Sequence, residues 1–187
     1  LLEACTSDDQ EEAWRNRTII LLLATSGMRV AELCGERGLR DKDVSLQNRW
    51  AVVRGKGDIV RFVFWNDDAH EALMNYLCER RGTWGGDQPL IRGMSFKNDG
   101  AVFTPDAVRA LFRRLAERAG VALVPGAPVH SFRHAFAHDG LDAGIDGLLL
   151  QQLMGHASIE TTQRYVRERP ERLQRVYERF YGSERQN

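Results

Sequence analysis

The chain has 187 residues, a formal net charge of zero, 43% hydrophobic residues and 28% charged ones. That composition excludes a disordered or fibrous protein, and the length suits one domain with a core that needs no disulfide or metal. The longest apolar run, Ile19 to Ala24, is six residues, far short of the roughly 20 that a bilayer-crossing helix requires, so no membrane partner is expected.

Residues 10 to 24 place apolar side chains at helical spacing and end in Thr25-Ser26-Gly27, after which Met28 to Leu33 reads as a short second helix. Between 50 and 64 the period changes. Trp50 to Arg54 and Ile59 to Phe64 are β-rich runs around Gly55-Lys56-Gly57-Asp58, which predicts a hairpin. Residues 68 to 81 return to helix, with Ala72, Leu73, Tyr76 and Leu77 on one face, and 81 to 100 read as loop. Thr104 as N-cap and Pro105 at the first helical position open another helix that runs to about Ala119. Beyond Val124-Pro125-Gly126-Ala127-Pro128 the chain is helical in pieces, broken at Gly144, Gly155 and Pro170. The expected fold class is α+β, mainly α, with one small antiparallel sheet.

Three cysteines, Cys5, Cys34 and Cys78, are odd in number and never in a CxxC pair. This argues against a disulfide framework or a cysteine-ligated zinc and suits a reducing cytoplasm. The first residue is Leu1, which reads as a fragment of a longer protein. Charge is unevenly spread: residues 1 to 13 carry five acids and no base, residues 109 to 118 four arginines against one acid, and 164 to 187 seven arginines against four acids. Arginine's planar fork suits phosphate, although solvated arginine-rich helix faces give the same pattern.

Three clusters carry the chemistry. Arg29 in the first turn of a helix opposes the helix dipole, a cost tolerated either without consequence or because an anion binds there. Glu32, three residues on, is placed to hold its guanidinium, as in any surface ion pair. In His130-Ser131-Phe132-Arg133-His134, His130 and Arg133 fall one turn apart and suit a phosphate clamp, whereas His134 reads as a packing residue. His130, His134 and His138 share a stripe, but no HExxH glutamate or nearby cysteine supports zinc, so no metal is expected. In the third cluster Gly155 ends a helix, His156 follows, Ser158 caps the next helix and Tyr165 comes about two turns later. A lone tyrosine there is ordinarily a packing residue, just as Lys56 alone is a solvated hairpin tip.

Taken together, the stretches Thr25-Ser26-Gly27-Met28-Arg29-Val30-Ala31-Glu32-Leu33, Gly55-Lys56-Gly57, His130-Ser131-Phe132-Arg133-His134 and Leu153-Met154-Gly155-His156 leading to Tyr165 resemble the tyrosine recombinase (phage integrase) family over nearly the whole chain. Phe132 stands where leucine is commoner, and the segment Cys34 to Arg40 is longer than usual before the sheet. The resemblance implies that residues 1 to 187 are a catalytic domain, without the family's N-terminal DNA-clamping domain. It implies Arg29, His130, Arg133 and His156 as phosphate-activating residues, Lys56 as the hairpin lysine, Tyr165 as nucleophile and Glu32 as supporting acid. No cofactor or metal is implied. The implied partner is double-stranded DNA, with self-association to a tetramer on it and a cytoplasmic, nucleoid-associated location. A type IB topoisomerase and a non-enzymatic DNA-binding regulator are the alternatives.

Overall fold

The computed structural model describes residues 1–55, 60–80, 82–94 and 100–155. The chain divides into two compact units, residues 1–136 and 137–187.

The first unit is built around α1 (Gln10–Ser26). Asp9 caps it by accepting from the amides of Glu11 and Glu12, and Gly27 ends it in the left-handed region at φ 63°. Protein covers α1 nearly all round: Ile19, Ile20, Leu22 and Leu23 are buried, and so are Arg15, Asn16 and Thr18. Arg15 lies over the Phe103 ring at 4.5 Å and donates to Asn16 and to the Arg92 carbonyl. The expected second helix is shorter than its sequence pattern, α2 being only Val30–Leu33. Arg29 is its N-cap, with extended backbone at φ −79° and ψ 150°. Contrary to the sequence expectation, Arg29 therefore does not oppose a helix dipole, because it precedes a single turn rather than lying in a helix.

The segment from Cys34 to Arg40 turns back beneath α2, with the Gly35 amide donating to the Phe103 carbonyl at 3.0 Å and the Leu39 amide to the Glu32 carbonyl at 3.0 Å. A 3₁₀ turn, Asp41–Asp43, leads into β1 (Val44–Ser45), a strand too short for its period to announce it. The predicted hairpin is present as β2 (Trp50–Arg54) and β3 (Val60–Phe64). The antiparallel order is β1-β2-β3, in a register that sets Ala51 opposite Val63 and Val53 opposite Arg61. These four face inward and are buried, while Val60, Phe62 and Phe64 are exposed.

Helix α3 (Asp67–Glu79), capped by Asn66, packs Ala69, Leu73 and Tyr76 into the core alongside α1. The helix ends two residues before the expected 81 because Arg80 is already extended. Arg80 instead forks onto buried Asp41 at 2.7 and 2.9 Å, and Asp41 also accepts from the Gly85 amide at 3.0 Å. This clasp, with isolated bridges Arg40–Pro89 and Arg92–Val102, gives the predicted loop its anchors. Helix α4 (Pro105–Ala119) begins and ends as expected: Thr104 accepts from the Ala107 amide, and Gly120 closes the helix at φ 63°.

Helix α5 (His130–Asp142) crosses from the first unit into the second. In the second unit, Asp146 caps α6 (Gly147–Met154), Gly155 ends it at φ 62°, and Leu150 and Met154 are buried. The predicted break at Gly144 is present, at φ 89°. The predicted break at Pro170, and the apolar residues Leu173, Val176 and Phe180 that follow it at i, i+3 and i+7 in the sequence, lie outside the described residues.

Candidate active site

The site starts from the end of α1. Gly27 is required there twice over: its φ is positive, and a Cβ would run into the Phe136 ring. The Gly27 carbonyl accepts from Nη1 of Arg133. Arg133 is 3% exposed, so α5 holds this guanidinium against the turn that leads to Arg29.

Arg29 follows with its side chain one-third exposed, 34%, against 3% for Glu32. Its Nη1 donates to Oε1 of Glu32 at 2.9 Å, and its backbone amide donates to Oε2 at 2.7 Å. Glu32 is not the surface partner that the i, i+3 spacing allowed. It is a buried carboxylate whose second partner comes from β3: Arg61 donates to Oε1 and Oε2, both at 2.8 Å. Burial alone would raise the Glu32 carboxyl, but the hydrogen bonds and charge of Arg61, then the amide and guanidinium of Arg29, hold it below its ordinary value.

Sequence reasoning passes over Arg61 because it sits between aromatic and β-branched residues that look like the core set. The signal is parity: Arg61 shares its face with Val63, and Val53 lies opposite, so whatever occupies position 61 points inward. Phe62 and Phe64 take the outer face instead.

Arg29, His130 and Arg133 line one open cleft of about 730 Å³, together with Arg109 and Arg113 of α4. The four arginines of residues 109 to 118 therefore split. Arg114 donates to Glu12 at 3.0 Å, and Arg118 donates to the carbonyls of Ala4 and Thr6, so these two fasten the N-terminal segment. Arg109, paired with Asp106, and Arg113 face the cleft.

His130 opens α5 and is exposed. The ring of His134, half-buried, stands edge-on to it at 4.6 Å. Desolvation by the protein on its covered side, then the charges of His134, Arg133 and Arg29, lower the His130 pKa from the ordinary histidine value. These surroundings thus favour the neutral form of the ring. Among the described residues, no three His, Cys, Asp or Glu side chains gather where they could hold a metal ion, and no helix is long and apolar enough to cross a membrane.

Of the seven residues singled out from the sequence, Arg29, Glu32, His130 and Arg133 thus occupy one region of the first unit. Lys56 falls in the connection between β2 and β3, and His156 and Tyr165 follow α6; all three lie outside the described residues.

The model of the phage integrase family matches residues 1–172. The chain belongs to this family. Among relatives in the phage integrase family, tyrosine recombinase XerA of Pyrococcus furiosus is 34% identical over 166 residues, which cover 88% of this chain and 54% of that protein. The chain spans about half the length of the curated relatives it matches. The crystal structure of XerA recombinase matches with a TM-score of 0.73 and 31% identity over 96% of this chain and 59% of that one. XerH site-specific recombinase bound to difH substrate, in a pre-cleavage complex, matches with a TM-score of 0.71 and 25% identity over 94% of this chain and 50% of that one. The mainly helical fold with one small antiparallel sheet is therefore that of tyrosine recombinases.

Proposed function

We propose that this chain is the catalytic domain of a site-specific DNA recombinase that cleaves and rejoins duplex DNA through a 3′-phosphotyrosine intermediate. The observation that carries the reading is the meeting of Arg29, His130 and Arg133 on one cleft, from positions a hundred residues apart in a family member. A phosphodiester resists attack because it is anionic and its alkoxide leaves poorly. Two guanidiniums donating to the non-bridging oxygens offset the charge that builds in the transition state.

In this reaction the Tyr165 hydroxyl attacks phosphorus, forming the Tyr–O–P bond as the P–O5′ bond breaks. Neutral His130 or His156 takes the tyrosine proton, and Lys56 delivers one to the departing 5′-oxygen. A tyrosine with an ordinary pKa of about 10 becomes a usable nucleophile beside this much positive charge. The proposed step needs no metal or nucleotide, and attack by another 5′-hydroxyl reverses it without an energy source. Exchange between two duplexes cuts four strands, which is the reason to propose a tetramer on DNA, acting in the cytoplasm at the nucleoid. Arg109 and Arg113 are proposed as additional backbone contacts along the same cleft.

The test is covalent trapping on a nicked duplex. The wild-type chain is expected to form a protein–DNA adduct that Tyr165→Phe abolishes while binding persists. DNA binding with no adduct would make the protein a regulator, and an undiminished adduct in Tyr165→Phe would move the nucleophile elsewhere.

A further inference from the structure

We propose that Arg61 is a positioning residue for cleavage: by forking onto Glu32 it fixes the carboxylate that holds the Arg29 guanidinium, and so ties the hairpin bearing Lys56 to the phosphate cleft. This rests on the cleavage chemistry proposed above.

Each oxygen of Glu32 serves both arginines. Oε1 accepts from Arg61 at 2.8 Å and Arg29 at 2.9 Å, while Oε2 accepts from Arg61 at 2.8 Å and the Arg29 amide at 2.7 Å. The parallel fork from Arg61 sets the plane of the carboxylate, which a single donor cannot do. With that plane fixed, Glu32 takes Nη1 of Arg29 and leaves Nη2 and Nε as donors for a phosphate. Arg61 itself is 8% exposed and does not line the cleft, so it acts through Glu32 rather than on substrate.

The connection also has a mechanical sense. Arg61 is the second residue of β3, directly after the connection that carries Lys56, and Glu32 is in α2, directly after Arg29. One buried carboxylate thus links the base of the hairpin to the strongest candidate phosphate ligand. Displacing β3 would displace Arg29. An inward charge on an edge strand has a bland use as well, which is to discourage pairing with other strands. A lysine would serve that purpose, and would neutralise Glu32, equally well. It would not reproduce the fork.

The experiment uses the full chain, with single-turnover adduct formation on the nicked duplex, DNA affinity and thermal melting measured side by side. Arg61→Lys is expected to melt and bind as the wild type does, yet to form adduct on the order of 10- to 100-fold more slowly, the scale of a small misplacement of a catalytic group. In an Arg29→Ala background the same change is expected to cost nothing further, since the residue it positions is gone. Wild-type cleavage by Arg61→Lys, or an equal loss with and without Arg29, would overturn the proposal. If Arg61→Lys fails to fold, Arg61→Met combined with Glu32→Gln removes both charges together. That pair is expected to cleave at the rate of Glu32→Gln alone, and any other rate overturns the proposal. Absence of a wild-type adduct would sink the cleavage reading first and this one with it, whereas failure among the Arg61 variants alone sinks only this one.

Discussion

A protonatable group among arginines is the most sensitive reporter of this site. His130 meets partial desolvation first and then the charges of His134, Arg133 and Arg29, all of which disfavour its imidazolium form. Its titration by NMR is expected to centre below the ordinary value of 6.5. Arg29→Ala removes one repelling charge and should move that midpoint up, as should a phosphate-bearing duplex, which adds an attracting one. A base whose pKa is lowered on folding costs the folded state as the pH falls below the unfolded value, so His130 destabilises the native form in acid and not near neutral pH. A midpoint at or above 6.5, unmoved by Arg29→Ala, would mean that the ring does not share the cleft's field and is free of these arginines.

Each element supplies one placement. The turn after α1 matters more than its length suggests, because Gly27 both ends the helix and accepts from Arg133. Gly27→Ala imposes a left-handed alanine, roughly 1–2 kcal/mol, and forces Phe136 aside, for which overpacking costs about 1–3 kcal/mol more. Urea unfolding should show a loss of this combined size, and adduct formation should fall with it as Arg133 shifts; an unchanged midpoint would mean the turn relaxes freely. Helix α4 should divide its arginines by role. Arg118→Ala is expected to lower the melting temperature while leaving DNA affinity intact, because its partners are the carbonyls of Ala4 and Thr6. Arg109→Ala and Arg113→Ala should each weaken DNA binding and lessen its salt dependence by about one counterion, with little change in melting.

Much of this was legible in the sequence, for stated reasons. Thr104-Pro105 and Gly120 bounded α4 because capping chemistry is local, and the period change at Trp50 marked the hairpin because side-chain alternation is local too. Arg29 and Glu32 were paired correctly by spacing. Their burial was not legible, since it depends on Arg61, which arrives from a strand 29 residues on, and a charge inside an apolar strand reads as solvent-facing. The two residues of β1 and the Asp41–Arg80 clasp were invisible for the same reason: both are set by distant partners, Ala51 for β1 and residues 39 apart for the clasp.

At the scale of the molecule, charge balance and charge placement oppose each other, and the salt dependence of binding measures which one governs. With a formal net charge of zero the whole chain exerts little long-range attraction on a polyanion. The five acids of residues 1 to 13 are partly spent, Glu12 being held by Arg15 and Arg114. Four arginines meanwhile line a single cleft, Arg29, Arg109, Arg113 and Arg133. Arg29 and Arg133 share the scissile phosphate in the proposed reaction, and Arg109 and Arg113 each add one backbone contact. If placement governs, binding of duplex DNA should behave as about three phosphate contacts. The logarithm of affinity should then fall with the logarithm of salt at a slope of about −2.7, at about 0.9 per contact on B-DNA. Between 50 and 200 mM salt that amounts to a loss of roughly 40-fold. Affinity should also be nearly indifferent to sequence, because guanidiniums on phosphate fix register without reading bases. Filter binding or fluorescence anisotropy across that range decides the matter. A slope near zero would mean the cleft does not hold the backbone, and a slope far steeper than three contacts allow would require basic residues beyond the cleft.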